Sequence, residues 1–545
     1  MGIYIHQSIS KSITQEEWEK VYEETLLLME AFPFAERGNM VYAGKKVPCV
    51  VHTREREAVS FQGDRILGWH TSMDYDTLGC AETYYIPRDL TGGRKADPEA
   101  WDAMMEAVPA YMDYDWGEEM FGHTYSLWDA KTQGEPYHMY LLAVACLIED
   151  RLGEKAFIYG DITKGQCQKA VDMANQHLPN PIRVPARCEM GRLFRRVQAL
   201  PLEADEKVGV FEKFYLGEQD EAFADFERVH FQAGHIKKHW EKRFGRCRMG
   251  TKGFLQDLKQ YLSLGFGLEE LCGIVSFEDP EGNPQYEVFL KAIMNSKLHL
   301  KDKNTTDYLD IQQDSAQPYS IWSVFAEFAF GAAHNPKVSR YIPIENIREA
   351  LRRGIGSQYD VDAYIDQYLE KEAAAPKIDI SQPNLPEKDL AEMLQADAAE
   401  VFTQVMEKQM QEMQEEHKQY AVSEYRDLIG YRKGSSVAPG MMEALGKSFL
   451  FYHGTLQEGH YASLMEQAPV ERCLFLAEQN ERLLLRDRDW IRIFSEIEGN
   501  PDAFGRYYPM VRVRADSDGL YQIVLAFVLN DDLYQYAEEL GKLYA

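Results

Sequence analysis

Residues 374–388 read Ala-Ala-Pro-Lys-Ile-Asp-Ile-Ser-Gln-Pro-Asn-Leu-Pro-Glu-Lys, and this stretch decides how the rest of the chain is divided. Pro376, Pro383 and Pro386 interrupt it, and its apolar residues follow neither a helical nor a strand period. It therefore reads as an extended connector, placed at 373–388, between two folded bodies. Working outward toward higher numbers, Pro386, Glu387 and Asp389 suit the first turn of a helix, where a missing N–H costs nothing and negative charge is favoured. Leu390, Leu394, Ala398, Val401 and Val405 form one apolar row, and Phe402, Met406, Met410 and Met413 form the next, until Gly430 offers a stop. The spacing predicts a long helix over 389–430, roughly 40 residues and about 60 Å if unbroken.

Past that helix, the runs 449–452, 473–476, 510–513 and 521–529 are apolar and of strand length, while 483–494 and 532–543 carry helical patterns. The expectation is a compact α+β module over 431–545 built on a small mixed sheet. Working outward in the other direction, Thr14 followed by Glu17 forms a capping box ahead of Trp18, Val21, Tyr22 and Leu26 at helical spacing. Between Asn39 and His70, short β-prone runs alternate with turn residues and predict a small antiparallel sheet. Residues 98–108 read as a helix capped by Asp97. A buried helix over 137–152, a strand over 156–159 and a second capped helix starting at Thr163 and Gln166 make a helix–strand–helix unit.

The stretch 1–200 is accordingly read as an α+β region and 201–372 as mainly helical, with Phe223, Phe226, Val229, Ala233, Ile236, Trp240 and Phe244 marking one stripe. Within the helical region, 274–277 and 286–290 read as two strand-like runs around the turn cluster 279–284, and helices are expected at 321–330, 344–353 and 361–371. The fold class expected is thus α+β and multidomain, with a mainly helical middle region and a long helix leading into the mixed-sheet module.

A chain of 545 residues exceeds what one hydrophobic core organises, so about three domains are expected. No apolar run is long enough for a membrane span, and the first residues lack the basic and apolar regions of a signal peptide. The eight cysteines form no C-x-x-C pair and several sit in apolar runs, which suits reduced thiols and a cytoplasmic setting. A net charge of −29 opposes non-specific attachment to nucleic acid or anionic lipid over most of the surface.

Against that background, Lys237, Lys238, Lys242, Arg243, Arg246, Arg248 and Lys252 face Glu241 alone and give 237–252 a net charge of +6. Trp240 and Phe244 interleave with the bases, as stacking on nucleotides would require, yet they also belong to the apolar stripe. The segment either pairs with acidic residues of the same chain or meets an anionic partner, a nucleic acid among them. His235 and His239 stand at i and i+4, without a third metal ligand placed by spacing. Asp74 with Asp76, and Asp113 with Asp115, recur in two copies of Met-Asp-Tyr-Asp; solvated turns account for them better than a cation site. The turn Gly160–Gly165 before a helix has the shape that receives phosphate, but Gln166 and Cys167 stand where such loops carry Lys and Ser or Thr.

Tyr452-His453-Gly454-Thr455 closes one of the expected strands, and Glu496-Ile-Glu498 follows it. The triplet His453-Gly454-Thr455 resembles the strand-borne His-Gly-Thr or His-Gly-Ser element of the ADP-ribosyltransferase superfamily. That resemblance implies that His453 and Thr455 hold the nicotinamide–ribose part of NAD and that Glu498 is the catalytic carboxylate. Two function classes follow. The first is a soluble, non-enzymatic interaction protein that binds an anionic or protein partner through 237–252 and the long Met-rich helix. The second is an NAD-dependent ADP-ribosyltransferase-like enzyme with its site in the C-terminal module.

Overall fold

Thr14 and Glu17 close the capping box that their spacing predicts. The Glu17 backbone N–H donates to Thr14 Oγ1 at 3.2 Å, and the Thr14 N–H donates to Glu17 Oε2 at 2.9 Å, at the head of the helix Gln15–Ala31. Thr163 and Gln166 repeat the device for the helix Lys164–Ala174. The computed structural model describes residues 3–59, 65–90, 102–111, 123–301, 338, 340–374, 419–515 and 517–545. The connector 373–388, apart from its first two residues, the expected long helix up to residue 418, the expected helix at 321–330 and Asp113 with Asp115 lie outside the described residues. The described end of that expected helix is not helical up to Gly430: Val422 is bridged to Val437, and Tyr425–Gly430 is a separate 3-10 turn. Helix predominates over two small antiparallel sheets, so the α+β class holds.

Packing divides the chain into two units, each gathered from separated segments. The first comprises residues 1–25, 89–134 and 141–408. Its three-stranded sheet has Tyr4–Ser10 in the centre, antiparallel to both Thr124–Lys131 and Ala156–Gly160. Gly160 sits at φ +111°, and a Cβ there would fall 2.7 Å from the Tyr4 carbonyl oxygen, so this turn requires glycine. The buried Arg196 anchors the segment after the sheet: it forks onto Asp102, at 2.6 and 3.0 Å, and also donates to the Ala156 carbonyl. Asp102 in turn caps Ala103–Glu106 by accepting from the Met104 N–H. The buried carboxylate of Glu149 takes the N–H groups of Ile158 and Ala186, so that group is fully used in holding backbone.

The helical part of this unit departs from the single stripe expected over 223–244. Glu221–His230 and Ala233–Gly245 are two helices, with Phe231 in an extended conformation between them. Phe223, Ile236, Trp240 and Phe244 are buried as expected, but Val229 is 78% exposed, because Glu221–His230 buries the side that carries Phe223, Ala224 and Glu227 and Val229 lies on the opposite one. The expected strand pair 274–277 and 286–290 is not formed. Tyr286–Asn295 is a helix, and Asp279 organises the turn between by accepting from the N–H groups of Glu281 and Asn283. Ile344–Ile355 and Val361–Ala374 are the two helices expected before the connector.

The second unit comprises residues 26–88, 135–140 and 409–545. The β-prone runs between Asn39 and His70 form a five-stranded antiparallel sheet of Phe34–Tyr42, Lys45–His52, Arg56–Val59, Arg65–Asp74 and Cys80–Pro87. Ala35, Val47, Cys49, Val50 and Met73 from this sheet share one core with Leu445, Leu485, Trp490, Phe494 and Phe527. The Val50 N–H donates to the Leu485 carbonyl at 2.8 Å, and the Tyr42 ring lies 4.2 Å from that of Phe494. Arg486, buried and paired with Asp489, also donates to the carbonyls of Tyr75 and Asp76.

The mixed sheet expected in 431–545 is not what these residues form. The runs 449–452, 473–476 and 510–512 lie in the helices Pro439–Gly454, Pro469–Gln479 and Phe504–Arg512, and 521–529 lies in Asp518–Leu529. Short apolar runs suit a buried helix as well as a buried strand, and here the termini decide. Pro439 and Pro469 occupy first-turn positions, Ser517 accepts from the Leu520 N–H, and Asn530 accepts from the Leu533 N–H to start Asp531–Tyr544.

Candidate functional site

The basic segment begins in the helix Ala233–Gly245, whose apolar face, Ile236, Trp240 and Phe244, is buried in the first unit. A helix brings residues four apart onto one line, so Lys238 and Lys242 make one row and His239 and Arg243 another. Asp205 and Glu212, seven apart in Ala204–Phe214, likewise share a face. The rows meet. Lys238 Nζ stands 2.8 Å from Asp205 Oδ1 and Lys242 pairs with Oδ2 of the same carboxylate. Arg243 Nη1 donates to Glu212 Oε2 at 2.9 Å, and His239 Nε2 donates to that oxygen at 3.2 Å. Arg243 Nε donates to Asp257 Oδ1 at 2.6 Å, and its remaining nitrogen reaches Gln260.

These pairs explain why bases accumulate here. Asp205 and Glu212 are almost fully buried, and an unpaired carboxylate in that position would carry a large desolvation cost. Burial by itself would raise the Asp205 carboxyl, but the ammonium groups of Lys238 and Lys242 hold it below its ordinary value. Arg243 additionally lies over the Trp240 ring, 4.7 Å from its centroid, where the guanidinium meets the negative face of the indole. Burial, followed by the charge of Arg243, depresses the neighbouring Lys213 ammonium.

The segment therefore has two parts. Lys238, Lys242 and Arg243 answer buried acids, and Lys237 pairs with Glu241 in its own helix. Arg246, Arg248 and Lys252, where the helix ends and Lys252–Ser263 begins, are exposed and make no ion pair among the described residues. Arg248 has the Asp279 carboxylate within electrostatic reach. Asp205 and Glu212, the acids that receive the bases, stand about thirty positions away in the sequence. Their signal was the matched spacing: bases in two i, i+4 pairs opposite acids at i, i+7.

The other candidates are held as follows. His453 is in the helix Pro439–Gly454, its Nε2 2.6 Å from the Tyr534 hydroxyl and its ring packed on Phe449. Burial lowers the imidazole pKa, with Glu538 opposing. Thr455 Oγ1 donates to the Tyr452 carbonyl at 3.0 Å, and Glu498 accepts from the Tyr42 hydroxyl. Among the described residues no hydrogen bond joins His453 or Thr455 to Glu498. Asp74 accepts from the Thr77 N–H at 2.7 Å, while Asp76 pairs with Arg488. The described residues contain no group of three or more His, Cys, Asp or Glu placed to hold a metal ion. In the Gly160–Gly165 turn, Thr163 caps the helix by accepting from the Gln166 N–H. No helix among the described residues is long and apolar enough to cross a membrane.

Comparison with protein-family models, with curated proteins and with solved structures gives no match to this chain.

Proposed function

We propose that the protein is a non-enzymatic interaction protein that meets an anionic partner through the exposed end of its basic segment, Arg246, Arg248 and Lys252, bordered by the half-exposed Lys237, Lys238 and Lys242. The observation that supports this reading is the division of labour within the segment. Four of its seven bases have carboxylate partners in the same unit, and the three that end it are exposed without an ion pair among the described residues. On a chain of net charge −29, a local cationic patch directs an anionic partner to one place, because the acidic remainder of the surface opposes attachment elsewhere. On sequence grounds we also propose the Met-rich part of the expected long helix, 389–418, as protein-binding, because methionine side chains adapt to varied apolar surfaces.

Retention on immobilised heparin at low salt tests the reading. The full chain is expected to be retained and to elute as salt rises, because each phosphate or sulfate contact releases counterions. Reversal of the exposed bases, Arg246→Glu with Arg248→Glu and Lys252→Glu, is expected to abolish retention and leave the unfolding midpoint unchanged. A wild-type chain that passes through the column at the lowest salt would overturn the reading.

A further inference from the structure

Glu227 lies in the Glu221–His230 helix with no exposed surface, and neither of its carboxyl oxygens has a hydrogen-bond partner among the described residues. Such groups are rare in folded proteins and ask for an explanation. The charged groups that reach it are Glu212 from Ala204–Phe214, Arg243 from Ala233–Gly245 and Arg228 on its own helix. Neither cation is free to serve it. Arg228 pairs with Asp225 at 2.8 Å, and Arg243 is spread over Glu212, Asp257 and Gln260. His239 turns to Glu212 as well, and Lys213 stands close to Arg243, Asp257 and Glu212. Because Arg243 and His239 share Glu212 Oε2, Glu212 Oε1 is also left without a hydrogen-bond partner among the described residues, as is the indole Nε1 of the buried Trp240.

One basic fork thus serves an interior that contains two glutamates. Two like charges in a low-dielectric core repel strongly, and desolvation penalises each, so the arrangement accommodates a single negative charge. Glu212 holds the hydrogen bonds that favour the ionised form and Glu227 holds none. Burial pushes the Glu227 carboxyl well above its ordinary value, and the charge of Glu212 pushes it further the same way.

We propose that Glu227 is carried in the folded protein as an uncharged carboxylic acid, and that its ionisation, by placing a second negative charge beside Glu212, loosens the Glu221–His230 helix from its neighbours. The helix suits that role. It is 10 residues long, it bears Phe223 and Ala224 on its buried side, and an extended residue, Phe231, follows it. Alkaline conditions, or a cation able to replace the proton, would then act on this helix first.

The full chain with Glu227→Gln, which keeps the shape and removes the titration, tests the proposal. Infrared spectroscopy near neutral pH should show a protonated-carboxyl carbonyl band in the wild type that the variant lacks. The melting temperature of the wild type should fall relative to the variant by several degrees between about pH 5 and about pH 9, since a folded state that binds the extra proton loses stability as pH rises. Glu227→Met provides a second, apolar replacement should the amide prevent folding, and it should show the same reduced dependence on pH. A wild type without the acid band, a band that persists in both variants, or parallel pH profiles would overturn the proposal.

Discussion

The guanidinium of Arg243 and the carboxylate of Glu212 are joined across 2.9 Å by a bond in which the acid is almost completely enclosed and the base is 17% exposed. Removing the base would leave the carboxylate with His239 alone. Arg243→Ala should therefore destabilise the protein by about 3 kcal/mol, the range found when one member of a buried pair is deleted, whereas Arg246→Ala should stay within about 0.5 kcal/mol. Urea unfolding of both variants checks this; equal effects would mean that Arg243 adds nothing as a core partner.

His138 provides a separate handle on acid stability. Burial lowers its pKa from 6.5 to about 4 in the folded protein, so the folded state binds fewer protons than the unfolded state between these values. The stability that depends on neutral His138 is present above about pH 6.5 and is lost as pH falls through about pH 4, up to about 3 kcal/mol. His138→Gln should have a shallower decline over that window in urea titrations at a series of pH values. Superimposable declines would show that the imidazole is not the group responsible.

The thiols should divide sharply by accessibility. Cys49, Cys146, Cys167, Cys188, Cys272 and Cys473 are buried, while Cys80 is exposed and Cys247 half-buried. Because the thiolate is the reactive form, burial that raises the pKa of Cys146 or Cys49 protects it twice. Brief alkylation of the native protein followed by mass spectrometry should label Cys80 and Cys247 and spare the other six until urea is added. Early labelling of Cys146 would contradict the packing around it.

Much of the fold was open to sequence reading where the signal is local. Both capping boxes, the β-prone runs after Asn39 and the helices before the connector follow from spacing within a few residues. The last hundred residues are ambiguous in the sequence because Phe449–Tyr452 and its counterparts satisfy strand and helix templates alike. Pro439, Pro469, Ser517 and Asn530 carried the deciding information at the helix starts. The basic cluster was visible but its purpose was not: Asp205 and Glu212 lie about thirty positions away, and only the packing of two helices brings them to Lys238 and Arg243.

We propose 373–388 as the connector that trypsin cuts first, at Lys377 or Lys388, since prolines and an absence of periodic apolar residues leave it little to bury. Cleavage there should not free the C-terminal piece. The Val50–Leu485 hydrogen bond and the Tyr42–Phe494 contact tie 409–545 to the sheet, so the nicked halves should elute together from a sizing column and part only in denaturant. Separation under native conditions would show that the shared core does not hold them.

The same tie imposes a wait during synthesis. Arg486 reaches back 411 positions to the Tyr75 carbonyl, and at roughly 5–20 residues per second a ribosome needs about 20–80 s to deliver one after the other. Throughout that interval Val47, Val50 and Met73 have no helices to cover them, and the Val50 N–H has no acceptor. The nascent sheet is then an open, sticky edge, the kind of intermediate that chaperones shield, and the speed at which the last third of the chain is translated should govern how much of it reaches the native state.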